Sequence, residues 1–124
     1  MLSKEQLEEK AASMQKFLEQ KPGTEPNDLI NRAENLAVLM AQSGQCLADA
    51  KYLQDTVING TIMEALKQAY EERLSPSTIN KWVTTAAKDL NYLVNWIDRI
   101  NATATHQLDS IRTMISYRKA EMTI

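Results

Sequence analysis

Residues that break helices or build strands are scarce in this sequence. Its 124 residues include three Gly, three Pro and one Phe, and the β-branched and aromatic residues form no alternating run of the kind that marks a strand. The sequence therefore predicts an all-α protein. A hydrophobic fraction of 44% against 24% charged residues is typical of a globular chain. The length suits one helical domain over residues 1–124.

Side chains that carry catalysis are also scarce. Cys46 is the single cysteine and His106 the single histidine, which excludes an intramolecular disulfide and a zinc site with paired Cys or His ligands. There is no glycine-rich phosphate loop and no nucleophile elbow. Thr103 stands where a di-iron bundle needs Glu three residues before His106. We therefore predict a protein that is not an enzyme and has no metal or cofactor. The sequence does not exclude a Ser or Thr nucleophile that pairs with His106 across subunits, but no residue pattern supports one.

Charge and hydropathy limit the partners. A formal net charge of −2 argues against holding extended nucleic acid by bulk electrostatics, which needs a basic surface. No signal peptide opens the chain and no apolar run approaches the ~20 residues that span a bilayer, so we expect a cytoplasmic protein without a membrane partner. Residues 81–124 nevertheless contain six basic and four acidic residues, a net +2. An anionic ligand is therefore to be sought in the C-terminal part.

Caps and turn residues divide the chain into helices. Ser3 and Gln6 have the spacing of a capping box, Pro26 suits a first helical turn, and Ser75-Pro76 is a stop followed by a new start. Asn59-Gly60 is a candidate kink, and Lys88-Asp89 a candidate break. The predicted helices cover residues 3–21, 26–73, 76–88 and 89–121.

A long apolar seam in the second helix predicts close helix packing. Apolar or small residues alternate there at spacings of four and three, as in a coiled coil. They are Leu29, Ala33, Leu36, Met40, Ser43, Leu47, Ala50 and Val57. Ala37, Gly44 and Ala48 keep the flank of this seam thin, so that a further helix can approach closely.

The length of the predicted helices indicates association between chains. Residues 90–119 alone would form a helix about 45 Å long at 1.5 Å per residue. Such long helices in a short chain cannot bury all of their apolar stripes on one another. We therefore expect a long-helix bundle assembled as a homo-oligomer.

The most informative functional feature is a second stripe on the last predicted helix, away from its apolar side. At 100° per residue its members recur every three or four positions, and none is a carboxylate. The stripe comprises Tyr92, Trp96, Arg99, Thr103, His106, Ser110, Thr113 and Tyr117. An ordinary solvated helix face is rich in Glu and Lys. We name these eight residues the carboxylate-free stripe.

Three interpretations of the stripe are open. Its aromatic rings and hydroxyls suit packing against other helices of a bundle or oligomer. Alternatively, with Arg112 or Arg118 from a neighbouring subunit, it lines a pocket for a small anionic aromatic ligand such as a nucleotide. Arg and hydroxyl groups bind phosphate, and Tyr or Trp stacks on a base. Extended nucleic acid is the third and least favoured ligand. The predicted binding residues are therefore the stripe and Arg112.

Four segments resemble small helical proteins encoded by bacteriophages and prophages. They are residues 5–10, 89–94, 101–109 and 112–116. Among such proteins are oligomeric helical inhibitors of host immunity that sequester nucleotide signals, as well as recombination accessories and virion components. The resemblance implies a binding protein with a counter-defence role. The alternatives are a protein-interaction or structural module and an accessory of nucleic-acid replication or recombination. The resemblance assigns no binding residue.

Overall fold

The computed structural model describes residues 1–122, which form three α-helices joined by two short loops. α1 spans Lys4–Glu19, α2 spans Pro26–Glu72 and α3 spans Pro76–Met122. No strand occurs in this part of the chain, which confirms the all-α prediction. Among its helices, none is both long enough and apolar enough to cross a bilayer.

Both long helices are continuous where the sequence offered a break. α2 passes through Asn59-Gly60 as helix. α3 passes through Lys88-Asp89, so the two helices predicted over 76–88 and 89–121 are one, and the division there was wrong. The physical reason lies on either side of this dipeptide, since Ala87 and Leu90 are both buried and carry the apolar side of α3 past it.

The helix ends follow the local sequence signals. The Ser3 hydroxyl accepts from the Gln6 amide, and the Gln6 side chain accepts from the Ser3 amide, which confirms the capping box. α2 ends at Arg73 in the left-handed conformation, with φ 56°, and the Arg73 amide donates to the Ala69 carbonyl. Ser75 accepts from the Thr78 amide as α3 begins.

α2 and α3 form an antiparallel hairpin along which polar pairs fix the register. Arg32 bonds to Gln107, the Asn101 amide donates to Ser43 at 2.8 Å, and Gln54 donates to Asn91. Residue numbers rise in one helix as they fall in the other across these pairs. The loop at residues 73–75 closes the hairpin.

α1 lies along only part of this hairpin, parallel to α3. Lys4 lies near Asp89 at the start of α1, and the Leu18 carbonyl accepts from Gln107 near its end. With 16 residues α1 is about 24 Å long, whereas the 47-residue α2 and α3 are each about 70 Å long at 1.5 Å per residue. We name the part of the hairpin beyond α1, residues 58–88, the arm.

One apolar core joins the three helices beneath α1. Its members are Leu7, Ala11, Met14, Leu18, Leu29, Leu36, Leu39, Cys46, Ala50, Leu90, Leu93, Ile97, Ile100, Ala104, Leu108 and Ile111. Every residue of the predicted α2 seam is buried or half-buried. In the arm, by contrast, Ala65 and Ala87 are the only buried residues. The core therefore stabilises the three-helix part and leaves the arm with little packing of its own.

Candidate ligand-binding face of α3

The carboxylate-free stripe runs along the outer side of α3, opposite α2. Tyr92, Arg99 and His106 each follow a buried core residue by two positions, which is 200° around the helix. Seven of the eight stripe residues are exposed, and Trp96 is half-buried against the core. From residue 92 to 117 the stripe extends about 38 Å at 1.5 Å per residue. Packing against the core of the same chain therefore explains Trp96, and it does not explain the other seven residues of the stripe.

An aromatic depression lies at the first end of the stripe, between α1 and α3. The rings of Tyr92 and Trp96 are 6.3 Å apart with a tilt of 49°, and the Trp96 indole donates to the Gln15 amide oxygen at 3.4 Å. Together with Glu8 and Asp89 they line a depression of about 440 Å³. The volume falls in the range of small-ligand sites, roughly 300–1,000 Å³. Lys4 lies 3.7 Å from each of these two carboxylates, so this end keeps one net negative charge, which disfavours a phosphate here.

A second depression, of hydroxyl and imidazole groups, lies further along the stripe. Thr103, His106 and Ser110 line it with neighbouring residues, and its volume is about 370 Å³. Arg99 lies between the two depressions in sequence. Within residues 1–122, the side chains of these four residues make no hydrogen bond or ion pair, so each polar group is open to a ligand.

The remaining predicted binding residues are not brought to this region. Thr113 donates its hydroxyl proton to the Asp109 carbonyl at 3.1 Å, and Tyr117 is exposed near the end of α3. Arg112 follows Ser110 by two positions, so it points away from the stripe, and it lies 3.9 Å from the Asp109 carboxylate. Arg118 donates to the Thr24 carbonyl at 3.2 Å. Arg112 can reach a ligand on the stripe only from another copy of the chain.

Sequence reasoning missed a buried arginine behind the second depression. Arg32 is 7% exposed. Its guanidinium lies 4.1 Å from the Phe17 ring centroid and donates to the Gln107 side-chain oxygen at 3.0 Å. Gln107 in turn donates to the Leu18 carbonyl at 3.0 Å. Burial lowers the pKa of Arg32, and its Nε has no hydrogen-bond partner among the described residues.

The hydrogen bonds from Arg32 to Gln107 and from Gln107 to the Leu18 carbonyl, which we name the relay, form a structural element that holds the end of α1. The guanidinium lies at the C-terminal end of α1, where the helix dipole favours a cation, and no carboxylate pairs with it in the described part of the chain. The spacing of Arg32 three residues after Leu29 and four before Leu36, inside the apolar seam, was the available sequence signal.

Cys46 lies in the core and is expected to react slowly. It is 3% exposed, and burial raises the pKa of its thiol, an effect that Lys10 opposes and Asp49 reinforces. Since the thiolate is the reactive form, modification by a disulfide reagent at neutral pH should be at least about tenfold slower in the native protein than in urea. Absorbance of the released thiol measures both rates, and equal rates would contradict the buried placement.

No family, curated relative or solved structure supplies a site for comparison. Searches against protein-family models, curated proteins and solved structures find no match to the chain. Within residues 1–122 no group of three or more His, Cys, Asp or Glu side chains is placed to hold a metal ion.

Proposed function

We propose that this chain is a non-catalytic, oligomeric binding protein that captures a nucleotide-like ligand on the outer face of α3. The observation that carries the proposal is the open part of the carboxylate-free stripe. There the exposed, unpaired Arg99, Thr103, His106 and Ser110 follow directly after the aromatic pair Tyr92–Trp96. Phosphate recognition needs cationic and hydroxyl donors, and base recognition needs a stacking surface.

Charge placement gives the ligand a direction on this face. The carboxylates of Glu8 and Asp89 border the aromatic depression and outnumber the cation Lys4, which pairs with both of them, so the base belongs there, where these oxygens accept hydrogen bonds from its amino groups. The phosphate belongs beside Arg99 and the hydroxyls, away from both carboxylates. Trp96 and Thr103 are seven residues apart, about 10 Å along the helix at 1.5 Å per residue. One ligand of nucleotide size therefore engages both depressions.

The biological role proposed with this site is sequestration of a nucleotide immune signal in a host cytoplasm by a phage-encoded protein. The resemblance of the sequence to phage proteins supports this role, and a binding face without a catalytic constellation suits a protein that holds its ligand unchanged. Both depressions are open on one side, so capture at low concentration favours an oligomer in which another copy, with Arg112 or Arg118, covers the ligand.

Arg99→Ala is expected to weaken nucleotide binding by roughly ten- to a hundredfold. The change removes a charge-assisted contact worth about 1.5–3 kcal/mol, and each 1.4 kcal/mol is a factor of ten. Because Arg99 has no partner within residues 1–122, the melting temperature should not change. Calorimetric titration with a panel of cyclic and linear mono- and dinucleotides measures the affinity. Lys119→Ala changes an exposed cation of α3 that lies two positions past Tyr117 and therefore on the other side of the helix; it is the matched control and should bind as the parent does.

The competing outcomes separate the interpretations of the stripe. No binding of any nucleotide by the parent protein, with a lowered melting temperature for Arg99→Ala and Tyr92→Ala, would replace the ligand site by a helix-packing surface. Affinity that grows with oligonucleotide length and collapses with added salt would indicate extended nucleic acid, because counterion release increases with the number of phosphates engaged.

A second candidate function is a protein-interaction or structural module, and the arm favours it. Met63, Leu66, Tyr70 and Trp82 are exposed there, with 38–92% of their surface accessible. Exposed apolar side chains grouped on one part of a molecule mark interaction surfaces. Binding of nucleotides unaffected by changes in the arm would assign the two surfaces separate roles.

A further inference from the structure

The outer side of α2 carries a row of exposed residues that neither α1 nor α3 covers. Its members recur every three or four positions, and all twelve are exposed. They are Ile30, Glu34, Ala37, Ala41, Gly44, Ala48, Tyr52, Asp55, Asn59, Met63, Leu66 and Tyr70. Several follow a core residue by two positions, as Ala41 follows Leu39 and Ala48 follows Cys46, and therefore lie on the opposite side of the helix. We name these residues the outer α2 row.

The row has a bulky half and a thin half. Tyr52, Met63, Leu66 and Tyr70 are 60%, 68%, 53% and 92% exposed. The other half has Ala or Gly at four successive positions from Ala37 to Ala48. Only Glu34 and Asp55 are charged, whereas an ordinary solvated face is rich in charge. The row therefore has the composition of a buried helix face and the exposure of a free one.

Gly44 is not required by anything within the chain. A Cβ atom built there would meet no atom within 4 Å. Glycine in a helix interior is destabilising relative to alanine, so this residue weakens α2 without helping the fold of one chain. Close approach of another helix backbone is a use for which glycine is suited.

We propose that a second copy of the chain docks on the outer α2 row, antiparallel, about a two-fold axis near residue 50. This register lays the bulky half of each helix over the thin half of the other. It sets Tyr52 against Ala48 and Met63 against Ala37, and towards the ends of the row it sets Leu66 against Glu34 and Tyr70 against Ile30, one residue of each pair coming from each copy. A two-fold interface needs a surface that complements itself, and the sizes along this row do so.

Charge and extent support the same occupant. The register brings Glu34 beside Lys67 of the partner subunit, an opposite charge, and sets Asp55 against the neutral Gln45 of the partner subunit. The row covers 41 residues, about 60 Å of helix at 1.5 Å per residue. Twelve positions with one flanking residue each reach the roughly 20–30 residues a side that a stable interface uses.

This interface is separate from the proposed ligand face. The outer α2 row and the carboxylate-free stripe lie on opposite sides of the hairpin, because each points away from the helix with which its own helix packs. The dimer therefore leaves the stripe of both copies open, and a copy that covers a bound ligand with Arg112 or Arg118 belongs to a separate contact between dimers. Loss of dimer formation and loss of nucleotide binding are consequently separate results, measured on different variants.

Light scattering coupled to size exclusion tests the interface. Without nucleotide, we expect the parent to have a mass of two chains of 14.0 kDa each. Gly44→Leu places a large side chain in the thin half, where one chain has room for it, and Leu66→Glu places a charge in the bulky half. Both should raise the dimer dissociation constant at least a hundredfold and elute as single chains with unchanged helical circular dichroism. Thr84→Leu and Thr84→Glu add the same side chains at an exposed position of α3 and should remain dimeric.

Spin labels decide the orientation. In the Cys46→Ala background, Glu34→Cys carries one spin label on each copy. Position 34 of one copy lies opposite position 66 of the other in the antiparallel pair, so 32 residues of helix separate the two labels, about 48 Å at 1.5 Å per residue. A separation near 10 Å would mean a parallel pair and would overturn the register. A parent mass of one chain, or an assembly that both Gly44→Leu and Leu66→Glu leave intact, would overturn the interface itself.

Discussion

Replacing Ile97 by Ala is expected to lower the free energy of unfolding by about 2–5 kcal/mol, the range for deleting a large aliphatic side chain from a core. Ile97 is 0% exposed and belongs to the core to which all three helices contribute. The loss combines the transfer free energy of the deleted methyl and methylene groups with the cavity that rigid helices leave behind. Urea denaturation followed by circular dichroism measures it.

Two further variants show whether that loss reports burial. Ile97→Val removes one methylene and should cost about 0.5–1.5 kcal/mol. Val38→Ala changes an aliphatic residue that is 58% exposed on α2 and should cost no more than about 0.5 kcal/mol in a single chain. A Val38→Ala cost equal to that of Ile97→Ala would contradict the assignment of inner and outer sides of the hairpin.

The sequence allowed prediction of the helices because their signals are local. The capping box at Ser3 and Gln6 and the restart at Ser75-Pro76 depend on residues within one turn, and the structure has both. The spacing of the α2 seam likewise reports which side of one helix is apolar. The predicted break at Lys88-Asp89 was wrong because a charged dipeptide interrupts an apolar pattern only when it falls on the buried side of the helix. Here both residues lie on the exposed side.

The sequence allowed prediction of the face of α3 that carries the candidate site, but not of the depressions on that face. Helical periodicity placed Tyr92, Arg99 and His106 on one side of α3, where the structure has them. The aromatic depression depends on where α1 lies, and no local pattern specifies that long-range packing. Arg112 was predicted to reach the ligand from a neighbouring subunit, and its position on one chain, pointing away from the stripe, leaves that contact a prediction.

Gln107→Ala is expected to lower the free energy of unfolding by about 2.5–4 kcal/mol, from about 1.5–3 for the bond to the guanidinium and about 1 for the bond to a carbonyl. Both partners are held at 3.0 Å, and Arg32 is 7% exposed, so solvent replaces neither bond fully. Without Gln107 the buried cation keeps only its contact with the Phe17 ring among the described residues. Urea denaturation measures the loss, and Gln15→Ala, which removes the long 3.4 Å contact to Trp96, is the weaker comparison.

The double variant Arg32→Met with Gln107→Leu should return the stability to within about 1 kcal/mol of the parent, because replacing a whole buried polar group by apolar side chains of similar size is often neutral. Arg32→Met alone should leave Gln107 with its bond to Leu18. Because the two residues share a hydrogen bond, the losses in free energy of unfolding from Arg32→Met and from Gln107→Leu should not add up in the double variant. Additive losses would show that the two residues act independently.

In a Trp82→Phe background, Trp96 reports the docking of α1, since its indole bonds to Gln15 of that helix. A red shift of its emission in Gln107→Ala below the global transition would show that the relay holds α1 against the hairpin, because α1 then separates while α2 and α3 stay folded.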